Sequence, residues 1–102
     1  MIEPIEENSQ AVAKLCRKFR VQRLELFGSA AGGPFDPQLS DLDFLVEFEK
    51  LEQGEVADAY FGLLEGLRDL FHRNIDLVML SAVKNPYFLQ KIEGTRTLLY
   101  AA

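Results

Sequence analysis

The chain has 102 residues, of which 48% are hydrophobic and 26% charged, with a net charge of −5. That size and balance give one domain with one core and leave no room for a separate substrate domain, so any second substrate is small or delivered by a partner. The acidic charge argues against non-specific binding to nucleic acid, whose affinity comes from Lys and Arg displacing counterions from phosphates. No apolar run approaches membrane-spanning length, and the acidic start Met1-Ile2-Glu3-Pro4-Ile5-Glu6-Glu7 is unlike a signal peptide. With a single cysteine, Cys16, no intramolecular disulfide can form; a reducing, cytoplasmic setting is expected.

Pro4 suits a first helical turn, and Ile5, Val12, Leu15, Cys16 and Phe19 recur at helical spacing, predicting a first helix that ends near Arg20. Cys16 falls within this apolar stripe and reads as a small core residue. Lys14, Arg17, Lys18, Arg20 and Arg23 form a basic cluster that reads first as a solvated helix face and, on an acidic protein, also suits an acidic partner. Alternation over Arg23-Leu24-Glu25-Leu26-Phe27 predicts a strand that stops at Gly28. Ala30 to Leu39, with two glycines and two prolines, reads as an exposed loop.

A second strand is predicted from Asp41 to Phe48. It carries Leu42, Phe44, Val46 and Phe48 toward the core and Asp41, Asp43, Leu45 and Glu47 on the opposite face. After a polar connection, Val56, Tyr60, Leu63, Leu64, Leu67, Leu70 and Phe71 mark a long helix that runs to about His72, whose charge suits a helix C-terminus. Gly62 and Gly66, one turn apart in it, are expected to permit close packing against a strand. Ile75-Asp76-Leu77-Val78-Met79-Leu80 reads as a buried strand, Asn85-Pro86 opens a last helix through Ile92, Gly94 breaks it, and Arg96 to Tyr100 forms a short edge strand. This order predicts an α+β fold, α/β by a looser count: a small mixed sheet with helices on one face and a site on the other.

The chemistry concentrates in three carboxylates. Asp41 and Asp43, at i and i+2 of a strand, project from the same side about 6 to 7 Å apart, a spacing that suits a pair of Mg²⁺ ions roughly 3.5 to 4 Å from each other. Asp76, an ionisable group inside an apolar strand, has to be paired, metal-bound or exposed at a sheet face. On a neighbouring strand it would complete an oxygen-rich cation site. The Gly28-Ser29 turn adds a residue without Cβ, where backbone amides can approach phosphate oxygens, and a hydroxyl beside it.

Taken together, Phe27-Gly28-Ser29, Ser40-Asp41-Leu42-Asp43 and Ile75-Asp76-Leu77-Val78 resemble the signature of the minimal nucleotidyltransferases of the DNA polymerase β superfamily. The likeness covers nearly the whole chain, including the ending Thr95-Arg96-Thr97-Leu98-Leu99-Tyr100. It implies a polymerase β-like fold. It further implies that Asp41 and Asp43 bind two Mg²⁺ ions, that Asp76 completes one metal site and assists the attacking hydroxyl, and that Gly28, Ser29 and Ser40 contact the nucleoside triphosphate. The implied reaction is in-line attack on the α-phosphate with release of pyrophosphate. Small members of this type are associated with helical HEPN-domain proteins, so the resemblance implies an antitoxin that transfers AMP from ATP to a hydroxyl of a HEPN partner; homo-oligomers also fit. One departure stands out. The family usually continues Gly-Ser as Arg-Ala-Arg-Gly, whereas this chain has Ala30-Ala31-Gly32-Gly33, which leaves open a second reading, an inert module that masks its partner by contact.

Overall fold

The computed structural model describes residues 3–28 and 41–102; the expected loop from Ala30 to Leu39, and Ser29 and Ser40 beside it, lie outside them. Among the described residues four strands form one mixed sheet in the order β3-β2-β1-β4: β1 Val21–Phe27, β2 Leu42–Phe48, β3 Ile75–Met79 and β4 Thr97–Ala101. The α-helices among the described residues are α1 Glu3–Glu7, α2 Ser9–Lys18, α3 Gln53–Phe71 and α4 Pro86–Ile92, and single 3₁₀ turns follow β3 and α4. None is long and apolar enough to cross a membrane.

The expected first helix is broken in two at Asn8. Asn competes with helical backbone through its own side chain and favours helix boundaries. At the end of α2 Phe19 N–H donates to Leu15 O at 3.0 Å and Arg20 N–H to Arg17 O at 3.4 Å, and Arg20, at φ 58°, turns the chain into β1. α3 begins with a capping box in which Glu52 and Glu55 each accept from the other's backbone N–H, satisfying amides that have no intrahelical acceptor. It ends at His72, whose left-handed backbone (φ 54°) closes the last turn, so His72 stands at the helix end as expected. Asn85 caps α4 by accepting from Tyr87 N–H at 2.9 Å, with Pro86 in the first turn. The expected final strand forms, displaced by one residue, and pairs antiparallel with β1.

β2 lies antiparallel to β1 and parallel to β3, the β2–β3 connection running through α3. Leu42, Phe44 and Val46 are completely or almost completely buried, as the alternation requires, with Leu24, Leu26 and Leu77 beside them and Val12, Cys16, Leu63, Leu67 and Phe71 of α2 and α3 over them. Burial pushes the Cys16 thiol up to about 12, so the residue packs as a small hydrophobe. Gly62 and Gly66 serve close packing, but against a helix: a Cβ at either position would run into Phe19 or Leu15. Tyr60 donates its hydroxyl to Leu77 O at 2.7 Å and ties α3 to β3. On the other side of the sheet Leu45 is also buried, in a smaller cluster with Phe27 and Ile92, and Phe27 meets Phe88 edge-on at 5.8 Å. The one-sided arrangement therefore holds for α2 and α3, while α4 covers part of the second face.

Candidate functional site

Side chains directly opposite each other on neighbouring strands share a sheet face. The register pairs Asp43 of β2 with Asp76 of β3 and, on its other flank, with Phe27 of β1. Strand spacing of about 4.8 Å brings the two carboxyl-bearing backbones side by side, on the face that also carries Leu45 and Val78. Asp41 precedes β2 and is exposed, as is Asp76, while Asp43 is partly buried. The three interact electrostatically: burial, then the charge of Asp76, then that of Asp41, raises the Asp43 carboxyl above its usual range.

Among the described residues no three His, Cys, Asp or Glu side chains already converge into a metal-holding group. The donors nevertheless suit Mg²⁺. They are hard carboxylate oxygens on adjacent strands, and the Asp43 carboxyl carries a burden of burial and like charge that a cation would relieve.

Gly28 ends β1 against this cluster. Its φ is +77°, and a Cβ there would stand 2.6 Å from Asp43 Oδ2 and 3.5 Å from its Cγ. Both the left-handed backbone and the missing side chain are therefore required for the turn to pass so close to Asp43. The Gly28 N–H is already engaged: it donates to Thr95 Oγ1 at 3.1 Å, and the Thr95 hydroxyl in turn donates to Ile92 O at 2.9 Å. In this arrangement the Gly28 amide supports the turn, so phosphate contacts at the turn would come from its other groups.

Next to Thr95, Arg96 grips Glu25 of β1 with both arms of its guanidinium, Nε at 2.9 Å and Nη2 at 2.8 Å, and also reaches Glu93 at 3.2 Å. Arg23 adds a third bond to Glu25 at 3.1 Å. Glu25 is only 4% exposed. Hydrogen bonding to Arg96 is the largest influence on its carboxyl and outweighs burial, which holds it below the usual carboxylate range. Thr95 and Arg96 belong to the ending that carries the resemblance, but neither their contacts nor the burial of Glu25 is expected from the sequence. The signal for Glu25 was present, an ionisable residue between Leu24 and Leu26 in an alternating strand; none existed for its distant partner.

A family model described as the nucleotidyltransferase domain matches residues 9–99. A Methanocaldococcus jannaschii protein named "Putative protein adenylyltransferase" is 38% identical over 81 residues, which cover 78% of this chain and 76% of that protein. Two solved structures share the fold. One, described as "Structure of putative minimal nucleotidyltransferase", has a TM-score of 0.74 at 28% identity and covers 92% of this chain and 91% of its own. The other, a tri-AMPylated Shewanella oneidensis HEPN toxin in complex with MNT antitoxin, has a TM-score of 0.64 at 23% identity and covers 96% and 73%. A carboxylate-bearing parallel strand pair beside a glycine turn, inside a sequence that matches the family almost from end to end, makes this chain a member of the nucleotidyltransferase domain family.

Proposed function

We propose that the chain transfers AMP from ATP to a hydroxyl of a HEPN-domain partner protein and thereby acts as the antitoxin of a toxin–antitoxin pair. The observation that carries the reading is the registered pair Asp43 and Asp76, with Asp41 two residues before Asp43 and Gly28 packed against the Asp43 carboxylate. The name of the M. jannaschii relative and the AMPylated toxin in the Shewanella complex support the group transferred and the class of acceptor. In the reaction the acceptor oxygen forms a bond to the α-phosphorus, the bond from that phosphorus to the bridging oxygen breaks, and pyrophosphate leaves.

Asp41, Asp43 and Asp76 are the residues that would hold Mg²⁺, which when bound supplies neutralisation of the charge developing on the attacking and leaving oxygens. Asp76, exposed at the sheet face, would orient the acceptor hydroxyl and take up its proton. Ser29 and Ser40 would contact the β and γ phosphates, with Gly28 setting the course of the turn after β1 rather than donating to them.

The test is transfer of label from α-labelled ATP to a HEPN-domain protein from the same genome, in the presence of Mg²⁺. Transfer with release of pyrophosphate is expected, and Asp43→Asn should slow it by at least about a hundredfold, since loss of even a supporting partner at a metal site costs 10- to 100-fold. The stretch Ala30-Ala31-Gly32-Gly33, without the arginines that bidentate phosphate recognition favours, favours a second reading in which the protein masks its partner by binding alone. A tight complex that never acquires label, with or without Mg²⁺, would establish that second reading.

A further inference from the structure

We infer that Thr95 is a positioning residue for nucleotidyl transfer, its hydroxyl locking the Gly28 turn at a fixed height above Asp43; the inference rests on the proposed transfer reaction. The Thr95 oxygen works in both directions, accepting from Gly28 N–H at 3.1 Å and donating to Ile92 O at 2.9 Å. A hydroxyl does both at once, and the isosteric valine side chain does neither. The bond spans 67 residues of sequence and joins the end of β1 to the turn that follows α4.

Both ends of this link are held. Ile92 is buried with Phe27 and Leu45 on the second face of the sheet. Arg96, next to Thr95, forks onto Glu25, which lies on β1 two residues before Phe27. A closed frame results: β1 leads to Gly28, Gly28 bonds Thr95, and Arg96 returns to β1 at Glu25. The frame fixes the height of the turn, and the contact between Gly28 and Asp43 leaves no room for even a methyl group between them. A phosphate carried by the turn is thereby set at a defined distance from the carboxylates. A misplacement of about 1 Å at such a centre costs on the order of a hundredfold in rate. Thr95 touches no reacting atom in this scheme and acts through Gly28.

The test compares Thr95→Val with Thr95→Ser, measuring kcat and KM for ATP in partner labelling at a temperature where thermal melting shows each variant fully folded. Thr95→Val should lower kcat/KM by about a hundredfold, and Thr95→Ser, which keeps the oxygen, should stay within about threefold of wild type. In ¹⁵N spectra the Gly28 amide should lose its protection from exchange in Thr95→Val only. If Thr95→Val does not fold, Thr95→Ala replaces it with the same expectation. Wild-type kcat/KM in the folded valine or alanine variant overturns the inference, and so does an equal loss in the serine variant, which would reduce Thr95 to a packing role. Should wild type label no partner, the proposed reaction fails separately and Mg²⁺–ATP affinity by calorimetry decides: about tenfold weaker binding in Thr95→Val alone supports the positioning role, whereas equal affinities, or no binding by wild type, overturn it.

Discussion

Replacing Gly28 with alanine perturbs the backbone of the turn and the Asp43 carboxylate at once, and the two effects differ in size. An L-residue at φ +77° costs about 1 to 2 kcal/mol, from which the reduced freedom of the unfolded chain returns about 0.4 to 1 kcal/mol. The net loss of about 1 kcal/mol lowers the melting temperature of a domain this size by roughly 4 to 8 °C and leaves the protein folded at 25 °C. The new methyl group would lie 2.6 Å from Asp43 Oδ2, so the carboxylate must retreat by about 0.8 Å to reach the 3.4 Å where ordinary contact begins. At a phosphoryl-transfer centre that displacement is worth on the order of a hundredfold in rate, about 2.7 kcal/mol of barrier. Circular dichroism melting combined with steady-state labelling kinetics separates the terms: kcat/KM should fall about a hundredfold in a variant that remains almost entirely folded at the assay temperature. An alanine variant with a lowered melting point and undiminished kcat/KM would refute the coupling between the turn and Asp43.

Mg²⁺ with ATP at saturation should raise the melting temperature by roughly 10 to 20 °C, and ATP with chelator by far less, because a ligand at a hundred times its dissociation constant contributes about 2.7 kcal/mol. Gly62→Ala should destabilise by about 1 kcal/mol in urea titration, since the methyl group would press on the Phe19 ring, with Cδ1 and Cζ at 2.8 Å, and the overpacking outweighs a propensity gain of about 1 kcal/mol. Gly54→Ala meets nothing within 4 Å and should be neutral or stabilising. Glu25→Gln should cost about 2 to 4 kcal/mol at pH 7, somewhat less than a fully buried pair because Arg96 is 22% exposed. Because the folded-state Glu25 carboxyl titrates below its unfolded value, its stabilisation is complete above the unfolded value of about 4.3 and disappears as the pH falls through the folded one. Urea midpoints of wild type and variant should therefore draw together as the pH falls below about 4.3.

The elements that carry strong periodicity are legible in the sequence. The core face of β2, the stripe of α3 and the Pro-led α4 follow directly from spacing, and Asp43 and Asp76 share a face because both strands alternate. What spacing along one strand cannot reveal is register between strands, so the direct pairing of Asp43 with Asp76 required the fold. The break at Asn8 was masked by apolar residues that keep helical phase on either side of it. Gly62 and Gly66 announced a close approach without naming its partner, which is α2 and not a strand. Thr95 and Arg96 were visible as residues but not as contacts, for their partners lie 67 and 71 positions away, beyond anything local pattern encodes.

Those separations also set the order in which the active surface comes into being during synthesis. β1 and β2 can pair as soon as Phe48 has left the ribosome, yet at that stage only two of the three carboxylates exist. Asp76 arrives after α3, and Gly28, among the earliest of the site residues to be made, waits for Thr95 and Arg96 near the far end of the chain. A nascent chain halted at Glu93 would hold every carboxylate and lack the tether that sets the turn. The tether of the Gly28 turn is thus the last part of the proposed site to form, completed only when the segment through Arg96 has been made.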